Sequence, residues 1–255
     1  MDELKLAINA AVSAGKLVRE LRETKYSKSF KESHRDVVTE VDLISEKIII
    51  DTLSSLEPFS YLSEETNELV GNSDDFWAID PIDGTANFVN GSENYCVSIG
   101  KVSKMVMELG VIYAPEKQDL YYSHKDFGAF KNQEKLQISG KNLCDALVAV
   151  SLPGAQDKIK AANVFEILNK VNYLSSGVLR LGSAALHLAQ HAEGIFGACI
   201  GFDAKIWDIA AGIAICRNAG SIVKLTPTTC PYTFDYICGD EASVSALENI
   251  VGFKV

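Results

Sequence analysis

The segment Asp80-Pro81-Ile82-Asp83-Gly84-Thr85 constrains this chain more than any other stretch. It closes the apolar run Phe76-Trp77-Ala78-Ile79, which reads as a buried strand over Phe76 to Asp80. Pro81 restricts Asp80 to extended backbone, and Gly84 permits an unusual φ or a close backbone approach. Thr85-Ala86-Asn87-Phe88 then begins a helix. The fold must therefore present two carboxylates at a rigid strand edge, beside the N–H groups of a helix start. Oxygen ligands of this kind suit Mg²⁺ or Mn²⁺, and the Ile82 carbonyl is in position to add another. The helix start supplies a site for a phosphate. The same six residues also read as a turn with Asp caps and no chemistry, so the rest of the chain has to decide.

Around this segment the patterns alternate between helix and strand. Leu4, Ala7, Ile8, Ala11, Leu17, Val18 and Leu21 mark one face of a helix over 2–23. Lys25 to Asp36 is polar and reads as a loop. A second helix runs from about Thr39, its N-cap, to Leu56, with Pro58 just beyond. Phe59 to Ser63 is a short strand, and Glu65 to Asp74 is turn-like. Tyr95 to Ile138 alternates as an antiparallel meander. A strand follows over 146–151, with helices over 157–170 and 183–192. The C-terminal part reads as a strand over 195–200, a helix over 206–218 with Gly220 near its C-cap, strands near 221–225 and 235–238, and a helix over 241–250. Strands grouped in the middle, with helices on either side, predict an α+β or layered α/β/α architecture. The 255 residues, 47% of them hydrophobic, suffice for one unit, with halves 1–140 and 141–255 sharing an active-site cleft.

Net charge is −10 and the pI about 4.9, so the surface repels nucleic-acid phosphates and no nucleic-acid partner is expected. A phosphorylated metabolite meets the same repulsion unless bound cations or helix N-termini supply positive charge locally. Cysteines stand at 96, 144, 199, 216, 230 and 238 without a C-x-x-C, and read as buried reduced thiols. With no apolar leader and no membrane-length run, the expected location is cytoplasmic, without a membrane partner. His34, His124, His187 and His191 show no metal spacing. His187 and His191 are four apart on one helix, but no third ligand is evident. A P-loop and the G-x-S-x-G of an α/β-hydrolase are both absent.

Three further acids stand in telling places. Glu64, beside Glu65, follows the strand that ends at Ser63. Asp42 lies in the first turn of the second helix, within Val38-Thr39-Glu40-Val41-Asp42. Asp208 opens an otherwise apolar helix, either as its N-cap or projecting toward metals. Taken singly, each reads as a solvated loop or a favourable dipole partner. Together the segments resemble the inositol monophosphatase family, within the lithium-sensitive, metal-dependent phosphatases. The first family signature resembles Trp77 to Val89, and the second resembles Trp207-Asp208-Ile209-Ala210-Ala211-Gly212 with Ala219-Gly220 following. Val38 to Asp42 and Ser63-Glu64-Glu65 precede the first in the family's order. Gly182-Ser183-Ala184-Ala185-Leu186 precedes the second.

The resemblance implies a layered αβαβα sandwich, like that of fructose-1,6-bisphosphatase, commonly assembled as a homodimer. It implies a phosphoric monoester hydrolase using two or three Mg²⁺ ions, with Mn²⁺ an alternative. Glu64, Asp80, the Ile82 carbonyl, Asp83 and Asp208 would be the metal ligands. Asp42 and Thr85, with Glu64, would orient and deprotonate the attacking water. Asp83, Gly84 and Thr85 would hold the phosphate, and Gly182, Ser183 and Ala184 would line the substrate side. The expected partner is a small phosphorylated metabolite, first of all inositol 1-phosphate. Inositol-specific members carry a Glu seven residues before the second-signature Asp, whereas this chain has Gly201, with Asp203 nearby. A 3′(2′),5′-bisphosphate nucleotidase is the main alternative, although Ala86-Asn87 follows the inositol pattern rather than that branch's Lys-Glu. Fructose 1,6-bisphosphate and histidinol phosphate are minor alternatives. A regulatory binding module on the same scaffold would be marked by a lost metal ligand, and none is missing.

Overall fold

The computed structural model describes residues 2–24, 26–30, 37–56, 59–138, 140–153 and 158–252. Helix α1 (Asp2–Arg22) buries Ala7, Ala10, Ala11, Ala14 and Val18, the small-residue stripe that its three- and four-residue spacing predicts. A hairpin of β1 (Lys28–Phe30) and β2 (Val37–Thr39) occupies part of the stretch expected to be loop. Within that stretch, residues 25 and 31–36, His34 among them, lie outside the described residues, as does Pro58. Helix α2 (Glu40–Leu53) starts at Thr39, whose side chain accepts from the Val41 N–H while Asp42 reaches back to the Thr39 N–H. Then come β3 (Tyr61–Ser63), β4 (Leu69–Val70), β5 (Asp75–Asp83) and the short helix α3 (Thr85–Val89).

The meander comprises β6 (Cys96–Ser103), β7 (Val106–Ala114), β8 (Asp119–His124), β9 (Gly128–Lys131) and β10 (Glu134–Leu136). Strand β11 (Leu147–Ser151), helix α4 (Lys158–Leu174), β12 (Gly177–Leu179) and α5 (Ala184–Ala192) follow. The chain continues with β13 (Ala198–Lys205), α6 (Ile206–Asn218), β14 (Ile222–Pro227), β15 (Thr233–Gly239) and α7 (Glu241–Val251).

Eight strands form one sheet in the order β10-β9-β8-β7-β6-β5-β3-β4, antiparallel except where β3 runs parallel to β5. Five form a second sheet, β12-β11-β13-β15-β14. On one face of the large sheet, α1 and α2 pack Ala11, Ala14, Ile49 and Leu53 against Trp77, Ile99 and Val111. Its other face meets α5 and α6, which fill the space between the two sheets. Beyond the small sheet, Val164, Val171, Val244 and Leu247 of α4 and α7 close a third apolar layer over Val148, Ile200 and Ile237. The result is the layered αβαβα sandwich expected.

Helix α6 is buried on every side from Ile209 to Cys216, which explains its uniformly apolar sequence. It lies almost on the large sheet: a Cβ on Gly110 would stand 2.2 Å from the Ala211 carbonyl oxygen, and one on Gly100 would stand 2.7 Å from the Ala210 Cβ.

Several expectations need correction. Strand β5 does not end at Asp80-Pro81 but runs on to Asp83. Its pairing with β6 is irregular between Asp80 and Asp83, and such a bulge tolerates a proline that cannot donate to the ladder. The strand expected at 195–200 begins at Ala198 and continues to Lys205. Four cysteines are buried, but Cys144 and Cys230 are exposed, and all six are free. Among the described residues, no helix is long and apolar enough to cross a membrane.

Candidate active site

Strand β5 delivers Asp80, Ile82 and Asp83 at the point where its ladder breaks. Gly84, at φ +94°, turns the chain sharply into α3. A Cβ there would stand 2.9 Å from the Asn94 carbonyl oxygen and 3.4 Å from that of Gly182, so glycine is required on both conformational and spatial grounds. α3 has only five residues, so its first N–H groups rather than a long dipole are what it offers an anion.

Asp42, Asp80, Asp83 and Thr85 are buried, while Glu64, Gly84 and Asp208 are partly accessible. The Thr85 hydroxyl lies 2.9 Å from the Ile82 carbonyl and 3.1 Å from Asp42 Oδ1. The other Asp42 oxygen accepts from the Thr39 N–H at 2.8 Å and the Thr39 hydroxyl at 2.6 Å. Asp42 is thus both the helix cap that its position suggests and a group facing the site. The Ser45 hydroxyl donates to the Pro81 carbonyl at 2.9 Å and ties α2 to the irregular part of β5.

Asp83 is held from the other side of the molecule. Its Oδ2 accepts from the Ser183 hydroxyl at 2.6 Å and the Ala185 N–H at 2.7 Å, at the N-terminus of α5. Ser183 also caps that helix, accepting from the Leu186 N–H. Asn87 bonds the carbonyls of Asn94 and Leu181, which anchors the Gly182 turn beside α3. Asp208 is not the N-cap of α6. Lys205 caps that helix, and Asp208, in its first turn, accepts from the Lys205 N–H at 3.3 Å. This leaves the rest of its carboxylate for the site.

The electrostatics follow from this crowding. Burial pushes Asp80 well above the usual carboxylate range, and the charges of Glu64, Asp83 and Asp208 push it further. Glu64 and Asp80 are close enough for a side-chain hydrogen bond. Asp208 is raised by burial and then by Asp83 and Glu64, with Lys205 opposing. Burial lifts Asp83 to about 7 against the pull of Ser183 and Ala185. It lifts Asp42 to about 6 against the Thr39 bonds, with Glu64 adding to the rise. Four acids, Glu64, Asp80, Asp83 and Asp208, with the Ile82 carbonyl, are hard oxygen donors of the kind that suits Mg²⁺ or Mn²⁺. Asp42, Glu64, Asp80, Asp83 and Asp208 lie close enough to feel one another's charge.

Gly182 and Ala184 flank Ser183, at the N-terminus of α5. Gly201 lies on β13, where a Cβ would fall 1.9 Å from the Tyr236 ring. No pattern in the sequence points to Tyr236, which is fully buried, with its hydroxyl 3.3 Å from Ser151. Asp203 does not stand in for the missing acid: at φ +50° it ion-pairs with Lys160, and its N–H donates to Asp235 at 2.7 Å. His187 and His191 do not act as a pair. His187 accepts from the Leu181 N–H and meets Ser151, whereas His191 faces Phe196 and Ser221.

The profile of the inositol monophosphatase family matches residues 2–246. An inositol-1-monophosphatase of Mesorhizobium japonicum is 34% identical over 225 residues, spanning 87% of this chain and 84% of that protein. The Nus factor SuhB of Pasteurella multocida is 34% identical over 224 residues, 86% of this chain and 84% of its own. Among solved structures, the extragenic suppressor protein suhB of Bartonella henselae superposes with a TM-score of 0.90 at 32% identity, over 100% of both chains.

Proposed function

We propose that this chain, which belongs to the inositol monophosphatase family, is a Mg²⁺-dependent hydrolase of a small phosphate monoester. Glu64, Asp80, the Ile82 carbonyl, Asp83 and Asp208 would hold two or three ions. Bound there, such ions would neutralise phosphate charge and lower the pKa of water. The observation that carries the reading is the Thr85–Asp42 hydrogen bond beside the acid cluster. A site that only stored cations would need the acids but no hydroxyl poised on a buried proton acceptor. In the reaction, the Thr85 hydroxyl orients the attacking water and passes its proton to Asp42, whose raised proton affinity suits a base near neutral pH. The first N–H groups of α3, beyond Gly84, receive the phosphate oxygens. Ser183 and the Ala185 N–H keep Asp83 in place, and Gly182, Ser183 and Ala184 line the leaving-group side.

Inositol 1-phosphate heads the substrate list by family. The Gly201–Tyr236 contact supports a more permissive alcohol site than that of the inositol-specific members, because no acid stands there to bind ring hydroxyls. Relatives named as Nus factors match as well as one named a phosphatase, so a regulatory binding role is the second reading; the complete acid set favours catalysis. The test is phosphate release from inositol 1-phosphate, 3′-phosphoadenosine 5′-phosphate, fructose 1,6-bisphosphate and histidinol phosphate, with and without Mg²⁺ and Li⁺. Mg²⁺-dependent turnover that Asp83→Asn abolishes in a folded protein supports the reading. Full Mg²⁺ binding with no turnover on any ester would favour the regulatory role. A homodimer belongs to the same proposal and is tested by light scattering.

A further inference from the structure

A second cluster of chemically capable side chains lies at the far ends of the two helices that build the acid site. His191 is near the C-terminus of α5, Cys216 near the C-terminus of α6, and Cys238 near the end of β15. One ring nitrogen of His191 and the two sulfurs all lie within 4.8 Å of one another, and all three residues are buried. The orientation of the imidazole is fixed. Its Nδ1 is 2.9 Å from the Phe196 carbonyl oxygen, which can only accept, so Nδ1 carries the proton. In the neutral ring Nε2 then presents a lone pair, and the Ser221 hydroxyl lies 2.9 Å from it. A histidine whose other nitrogen donates to a backbone carbonyl is the arrangement that orients metal-binding imidazoles. Nothing in the phosphatase chemistry uses these residues.

We propose that His191 Nε2 and the thiolates of Cys216 and Cys238 form a second metal site, specific for a thiophilic divalent ion and, by its donor class, for Zn²⁺. Two sulfurs and one imidazole are a common zinc donor set, and the Ser221 hydroxyl stands next to the fourth position. Binding replaces the two thiol protons, which leave to solvent, with one divalent cation. The site is then electrically neutral, which suits a buried location far better than a bare thiolate does. A crevice lined by Ile138, Lys141, His191, Phe196 and Asp240 gives the ion its route in. The consequence is mechanical. The ion would pin together the C-terminal ends of α5 and α6, whose N-terminal ends carry Ser183, which holds Asp83, and Asp208.

The experiment uses the full chain with Cys144→Ser and Cys230→Ser, which removes the two exposed thiols. Excess Mg²⁺ occupies the carboxylates, and Co²⁺ is the probe, because only thiolate ligands give sulfur-to-cobalt charge-transfer absorption. The expected result is a band that saturates at one ion per chain, is displaced by Zn²⁺, survives Cys199→Ser, and is lost in Cys216→Ser and Cys238→Ser. Zinc should also raise the melting temperature of the parent. Ser221→Ala, which keeps all three ligands, should weaken Co²⁺ binding about 10-fold or more. Should a ligand variant not fold, the folded parent decides: the absence of a thiolate band there overturns the proposal. A Cys216–Cys238 disulfide that takes up no metal after reduction overturns it too.

Discussion

Removing Mg²⁺ should make the stability of this protein depend steeply on pH, with a sign and size fixed by the buried carboxyls. Asp83 is pushed to about 7 and Asp42 to about 6, from an ordinary value near 3.8. Each holds its proton more tightly folded than unfolded, so the stability this confers is complete below about pH 4 and is lost as pH rises through 6 and 7. Between about pH 5.5 and about pH 8, the linkage relation gives a loss of about 2 kcal/mol from Asp83 and about 1 kcal/mol from Asp42. Asp80 and Asp208, also raised, act in the same direction. Burial of His187, helped by the Arg180 charge, lowers it to about 4 and works the opposite way, because the unfolded chain takes up its proton first. His187 lies outside the acid cluster, so it contributes equally with and without Mg²⁺, and the difference between the two conditions isolates the acids. The assay is urea unfolding across that pH range, in saturating Mg²⁺ and after gel filtration into Mg²⁺-free buffer. The gap in unfolding free energy should widen by about 3 kcal/mol or more from the acid to the alkaline end. A gap that is constant or shrinks would show the carboxyls already ionised in the metal-free fold, and the argument would fail.

Other outcomes follow from the same contacts. Gly84→Ala forces a side chain into a left-handed turn and against the Asn94 carbonyl; it should cost about 1–3 kcal/mol in a denaturation series and reduce turnover by misplacing Asp83 and Thr85. Gly201→Ala should destabilise the parent through collision with Tyr236 but cost far less in a Tyr236→Ala background, so the double-mutant cycle should depart clearly from additivity. Gly110→Ala should lower the unfolding midpoint by the equivalent of about 1–3 kcal/mol, because α6 cannot back away from the sheet while Leu188 blocks it at Gly212.

Much of this architecture was legible in the sequence because its longest elements have strong periods. The stripe in α1, the apolar run of α6 and the alternation of the meander each follow from burial on one face, on all faces or on alternate residues. Strands of two or three residues carry no period, and so β1, β4 and β12 went unseen. The end of β5 was misread because Pro81 normally closes a strand; here the bulge opposite β6 absorbs it. The acids were legible through their order, but their mutual approach was not, since the chain between Asp83 and Asp208 contains eight strands and two helices longer than α3. Nor could spacing reveal that Cys216 and Cys238 lie beside His191, or that Tyr236 fills the space beside Gly201.

The bonds from Ser183 and Ala185 to Asp83 bridge 100 and 102 positions of the chain. Synthesis proceeds from the N-terminus, so β5, with its paired acids, leaves the ribosome well before the helix that holds Asp83 and the one that carries Asp208 exist. The nascent large sheet also lacks α5 and α6, the helices that pack on one of its faces, and waits with that apolar face bare. A chain stopped short of Asp208 therefore has neither a finished core nor a full set of acids. On the proposed reading, hydrolysis of phosphate esters would be confined to chains that have been completed through α6.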